Sequence, residues 1–146
     1  MVDLNKYKPQ LLFWSVCVLI VVLDQAAKYL IFSYQPELDF RWLAIHLVQN
    51  TGAGFGILKD QIHLLTFISL VVALLIILFY GKIPKRIAPQ LFSALFLGGV
   101  AGNLIDRLFR RYVIDFLDFK IWPAFNLADA AISVAVIGLI IYFWKK

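Results

Sequence analysis

A single cysteine, Cys17, stands among 146 residues. One thiol permits no internal disulfide and no thiolate metal cluster. Cys17 also lies inside an apolar run, far in sequence from either histidine. That argues against a catalytic thiol and for a small residue facing lipid or a neighbouring helix. There are two histidines, His46 and His63, and their separation fits no metal-binding spacing. Charge is scarce too: Asp, Glu, Lys and Arg make up 16% of the chain, and long stretches have none. The net charge of +5 comes without a basic stripe, so the electrostatic footprint of a nucleic-acid binder is missing. No linker divides the chain, and residues 1–146 read as one domain.

Apolar residues dominate instead. They form 62% of the sequence, whereas a soluble domain is about half apolar, so lipid is the expected solvent. About 20 apolar residues cross a bilayer as a helix. Four stretches qualify, roughly 11–32, 62–80, 90–108 and 126–144. The first is too long for a signal-peptide core, lacks a small-residue cleavage site after it, and carries Asp24 and Lys28. It therefore reads as a span. The expected fold is mainly α: four transmembrane helices, with a small extracytoplasmic β-segment between helices 1 and 2.

Lys82, Lys85 and Arg86 lie between spans two and three, Lys6 and Lys8 before span one, and Lys145 and Lys146 at the end. Four spans put all three groups on one side, which the positive-inside rule assigns to the cytoplasm. Arg110, Arg111 and Lys120 on the other side weaken that bias, and Asp115 and Asp118 offset part of their charge. The first outer segment holds FRWLAIHLVQN followed by TGAGFGIL. It reads as a strand, a glycine-rich turn and a second short strand, with Trp42 at the membrane interface.

The polar residues in or beside the spans carry the chemistry. Asp115 in VIDF and Asp129 in FNLAD stand fourteen residues apart at the membrane boundary. Carboxylates are costly there, and two within reach of each other can activate water. Each also has a plainer reading. Asn126 is a good N-cap and Asp129 falls at N3, where a carboxylate suits a helix start; Asp115 alone would be a surface-loop acid. If the two share one proton, the helix N-terminus makes Asp129 the ionised partner and Asp115 the protonated one. Asp24 and Lys28 share a helix face. They are either a packing pair, with Lys28 snorkelling to the interface, or organisers of a site. Span three ends in GGVAGNLIDR, where Gly98 and Gly102 allow close helix approach. In that segment Gly99, Asn103 and Asp106 form one stripe, and Arg107 shares a face with Asn103.

The motifs DQAAK (24–28), NTGAGFGIL (50–58), GNLIDR (102–107), VIDF (113–116) and FNLAD (125–129) occur in this order. In that order and on that scaffold the chain resembles the lipoprotein signal peptidases, or signal peptidase II, over about residues 20–135. The resemblance implies an aspartic peptidase that cleaves diacylglyceryl-modified bacterial prolipoproteins just before the lipidated cysteine. It implies Asp115 and Asp129 as the catalytic pair. It carries site-organising or substrate-binding roles to Asp24, Lys28, Asn50, Gly52, Asn103, Asp106, Arg107, Asn126 and Ala128. It further implies a periplasmic cradle, a multi-pass protein of the bacterial inner membrane with both termini cytoplasmic, and a site near the extracytoplasmic face. Membrane lipid and a globomycin-type inhibitor are the other expected partners, with no nucleic acid, no metal, no cofactor and a monomeric state. Gly54 departs from the alanine of many members and should loosen the turn after Asn50. The glycines at 52, 54 and 56 suit a hinge there. Two other classes compete. A proton relay through Asp24, Lys28, Asp106 and Asp129 would suit a small proton-coupled transporter, though four spans are few and no inverted repeat is visible. A non-catalytic scaffold packed through Gly98 and Gly102 is the third.

Overall fold

A computed structural model describes residues 4–53 and 57–145. Four helices carry the chain: α1 (Leu4–Tyr34), α2 (Ile62–Leu78), α3 (Ile87–Phe109) and α4 (Leu127–Trp144). They match the four expected apolar stretches, α2 ending two residues and α4 starting one residue inside the expected bounds, and α1 begins earlier, with Pro9 inside it. Pro9 is the sixth residue of α1, where the N–H it lacks would have met the Asn5 carbonyl, so the helix gives up one backbone hydrogen bond there. Three helices are long and apolar enough to cross a membrane, while α2 is an apolar helix of 17 residues. At 1.5 Å per residue α2 spans about 26 Å, close to the roughly 30 Å hydrocarbon core. The protein is a multi-pass membrane protein.

α3 is the central helix, packed against α1, α2 and α4. Small residues set its contacts, because lipid offers no hydrophobic drive between helices and close backbone approach takes its place. A Cβ on Gly98 would meet Cys17 O at 2.9 Å on α1, and one on Gly99 would meet Ala128 O at 2.5 Å on α4. Around them Phe13, Cys17, Ala73, Ala94, Leu97 and Val100 form the apolar core. Cys17 takes the helix-facing role its position suggests.

The connections at one end fold into an antiparallel sheet of β1 (Leu38–Asp39), β2 (Ala44–Asn50) and β3 (Val113–Asp118), in that order. The sheet draws on both the α1–α2 and the α3–α4 connections, not on the α1–α2 segment alone. β2 pairs with β3, which comes from the α3–α4 connection, and residues 57–60 form a turn where a second short strand was expected. The stretch VIDF is too short and too uniformly buried to show the alternation by which a strand is recognised in sequence. Gly54 and Gly56, and with them the looser turn and most of the expected hinge, lie outside the described residues. Between Ile45 and Val48 the β2–β3 register shifts by one residue. Such a bulge re-aims side chains, and beyond it Asp115 stands opposite Val48 and Val113 opposite Asn50.

Candidate active site

Asp115 and Asp129 are brought together by the fold of the segment between them. The Phe125 N–H donates to Leu117 O at 3.0 Å, and Phe125 O accepts from the Leu117 N–H at 2.9 Å. This isolated bridge folds the chain back on β3, so that Asn126 follows immediately beside Asp115. Asn126 then starts α4 as its N-cap. Its Oδ1 accepts from the Asp129 N–H at 2.9 Å, and its own N–H donates to Asp129 Oδ2 at 3.3 Å, completing a capping box. The Asn126 side-chain amide donates to Asp115 Oδ1 at 2.7 Å. One residue therefore holds both carboxylates. The capping reading of FNLAD is correct, and it coexists with the pairing.

Each carboxylate has a second donor. Asn50 Nδ2 reaches Asp115 Oδ2 at 2.8 Å, and Asn103 Nδ2 reaches Asp129 Oδ1 at 2.8 Å. The Gly52 N–H donates to Asn50 Oδ1 at 2.9 Å and so fixes which way that amide faces. A Cβ at Gly52 would lie 3.0 Å from Ile57 O, so the turn is tight. Asp115 is 1% exposed, on a strand, and is not a surface-loop acid. Burial first, and the negative charge of Asp129 second, push its carboxyl up to about 7, against the opposing hydrogen bonds from Asn50 and Asn126.

Behind the pair lies a buried ionic network. Lys28 is fully buried and does not snorkel. Its ammonium contacts Asp24 Oδ2 at 2.8 Å, Asp106 Oδ2 at 3.0 Å and Asn103 Oδ1 at 2.9 Å, which uses all three of its hydrogens. Asp24 Oδ1 accepts the Ala128 N–H at 3.0 Å, and Asp106 Oδ2 accepts the Ile114 N–H at 3.1 Å. Ala128 precedes Asp129 and Ile114 precedes Asp115. Lys28 thus acts, through two acids, on the backbone directly before each member of the pair. Of the two readings posed for Asp24 and Lys28, the structure shows the packing contacts, and these reach the backbone beside the carboxylate pair.

Sequence reasoning missed Gln25 and Arg110. The Gln25 amide donates to Asp106 Oδ1 and Gly102 O, both at 3.1 Å, and Arg110 pairs with Asp106 Oδ1. Both were detectable: Gln25 is a polar residue inside an apolar span, and Arg110 lies one helical turn after Asp106.

A cavity of about 230 Å³ opens onto the pair. Asn50, Gly52, Asn103, Arg107, Asp115 and Asp129 line it, with an apolar wall from Trp122 to Phe125 and Ile132. Asp24, Lys28, Asp106, Asn126 and Ala128 stand behind that lining. Arg107 also hydrogen-bonds Ser69 Oγ on α2 at 3.2 Å. A larger cavity of about 640 Å³ lies elsewhere, between the end of α1 and the sheet. It borders none of these residues.

Membrane-length helices around a paired, buried carboxylate centre with its own cavity define a multi-pass membrane enzyme. The profile of the family described as signal peptidase (SPase) II matches residues 16–145, and the chain belongs to that family. Similar curated proteins are called lipoprotein signal peptidase. That of Halothermothrix orenii is 37% identical over 91% of this chain and 95% of its own, and that of Moorella thermoacetica 42% identical over 91% of each. That of Francisella tularensis subsp. novicida is 38% identical over 94% of each. Two solved bacterial membrane enzyme structures share the fold. One has a TM-score of 0.85 and 29% identity over 91% of this chain and 87% of that one. The other has a TM-score of 0.82 and 28% identity over 92% and 93%. The chain is a membrane protease with a signal peptidase II function, which disfavours the transporter and scaffold readings.

Proposed function

We propose that the chain works as an aspartic endopeptidase, with Asp115 and Asp129 as the catalytic pair acting on diacylglyceryl-modified prolipoproteins just before the lipidated cysteine. The observation that carries this reading is the double grip of Asn126, which binds Asp115 through its side chain and Asp129 through its backbone. Two carboxylates held together in a low dielectric disfavour double ionisation, so the pair keeps one proton and titrates as a unit. Asp115, pushed up to about 7, holds that proton. Asp129, at the positive end of α4, is the ionised partner and takes a proton from water as the water attacks the scissile carbonyl. Asp115 gives its proton to the carbonyl oxygen. The tetrahedral intermediate then collapses and a proton passes to the leaving amine. Arg107, at the cavity wall, holds a carbonyl of the peptide or lipid. Asn50 and Asn103 keep the carboxylates oriented. No metal or cofactor enters these steps.

The setting follows from the same reading. The sheet end of the single domain faces outward in the bacterial inner membrane, both termini lie in the cytoplasm, and the lipid anchor stays in the bilayer while the peptide bond reaches the cavity. The protein acts as a monomer, and a globomycin-type inhibitor occupies the same cavity. The test is cleavage of a diacylglyceryl-prolipoprotein by the purified protein in detergent, beside Asp115→Asn and Asp129→Asn. Both variants should stay folded and lose activity by about 10³-fold or more, within the range typical of a lost general acid or base. Cleavage persisting in either folded variant would remove that residue from the mechanism.

A further inference from the structure

Arg107 borders a second cavity, of about 160 Å³, on the far side of the α2–α3 contact. Ile62, His63 and Thr66 from the first turns of α2 line it, with Leu108 and Arg111 from the end of α3. No acid is among the lining residues. Two guanidiniums and an imidazole converge there, and neither Arg107 nor Arg111 has an ion pair among the described residues. Arg107 Nε is buried without a hydrogen-bond partner, and the one hydrogen bond its guanidinium makes among the described residues is from Nη1 to Ser69 Oγ. α2 starts at this cavity with no side-chain cap and no acid in its first turn. Its leading N–H groups and the positive end of its dipole therefore add to the same field. Arg107 also feels the carboxylates of Asp129, Asp115 and Asp106 on its other side, but no acid lines this cavity, so Arg111 and the start of α2 meet no anion there.

The volume suits a small anionic group and is below the roughly 300 Å³ at which cavities enclose drug-sized ligands. The surroundings indicate where such an anion comes from. Leu108 of the lining is exposed, as are Leu64, Phe67 and Phe109, which adjoin lining residues in sequence, Phe109 by 81%. They belong to the membrane-crossing faces of α2 and α3, at the end where the sheet lies. A phosphate with two acyl chains would seat its charge on the arginines and its chains along these residues. We infer that this cavity is a binding site for the phosphodiester of a phospholipid headgroup, separate from the peptidase cavity and joined to it through Arg107. A bound phosphate would give Arg107 a fixed partner on the side away from the carboxylates.

The experiment uses the full chain in dodecyl maltoside micelles and follows thermal unfolding as lipid is added. A ligand that binds only the folded protein raises its midpoint. Phosphatidylglycerol should raise it, and diacylglycerol, which has the chains without the phosphate, should not. Arg111→Gln should need about tenfold more phosphatidylglycerol for the same rise, the scale of one lost charge-assisted contact, and Arg111→Lys should recover part of it. Native mass spectrometry of the same samples reads lipid retention directly, so a variant with a lower starting midpoint still gives an answer. Inorganic phosphate is the second arm. If it matches phosphatidylglycerol at equal concentration, the anion site stands and the lipid assignment is overturned. Equal responses of wild type and Arg111→Gln to phosphatidylglycerol, or equal responses to the lipid with and without phosphate, would overturn the site itself.

Discussion

Lys28 gives each ammonium hydrogen a different oxygen, on Asp24, Asp106 and Asn103. Replacing it with methionine would leave two buried carboxylates facing each other without a cation. Breaking a buried pair in this way costs about 3–5 kcal/mol. Lys28→Met should therefore unfold at a clearly lower temperature in detergent, and it should cut poorly even where folded, since the backbone before both Asp115 and Asp129 loses its anchor. An unchanged midpoint and unchanged kcat would show the network to be ornamental. A second residue-scale expectation concerns pH. The Asp115 carboxyl, pushed up to about 7, is protonated below that value and ionised above it. In the proposed mechanism the general acid is thus present at low pH and lost as pH rises, so kcat/KM should fall on its alkaline side with a midpoint near 7. A profile flat from pH 6 to 9 would reject the protonated-Asp115 assignment.

Among the elements, α3 does the positioning, and glycine lets it. Its side facing α4 has no room for a methyl at Gly99, where a Cβ would sit 2.5 Å from Ala128 O and 2.7 Å from Ile132 Cγ1. The nearest atom is backbone and cannot rotate away. Gly99→Ala should push α4 outward, cost about 1–3 kcal/mol as overpacking does, and lower activity because Asp129 rides on the displaced turn. Gly81→Ala, with nothing within 4 Å of the new methyl, is the matched control. Thermal unfolding and cleavage rates of the two variants decide the matter, and similar values would deny the close contact its role. The second decisive element is β3. It carries Asp115, and its pairing with β2 and with Phe125 brings Asn50 and Asn126 to the same carboxylate. Nothing local marks VIDF as a strand. Its partner β2 is more than sixty residues away, and that distant pairing makes it one.

At the scale of the whole molecule, four helices in alternating directions leave the sheet and the candidate site at one end and the Lys82–Arg86 turn at the other. The positive-inside rule puts that turn in the cytoplasm. In spheroplasts, a membrane-impermeant maleimide should label Trp42→Cys directly and Lys85→Cys only after permeabilisation, while the buried Cys17 stays unreacted. The reverse pattern would invert the orientation. Much of this architecture was legible in the chain itself. Apolar runs of membrane length are a property of composition and do not depend on what they pack against, so all four helices could be read from it. The polar residues inside those runs stood out for the same reason, because lipid makes each of them costly. Tertiary structure decided the rest. The side of Asp115 on which Asn50 and Asn126 lie depends on a bulge, a long-range strand pair and a folded-back loop. The full burial of Lys28 depends on two acids from different helices closing over it. Periodicity and spacing describe a residue's neighbours along its own element, as they do for Asp24 and Lys28, whereas the contacts to Asp106, Asn103, Asn50 and Asn126 join separate elements and exist only when those elements pack.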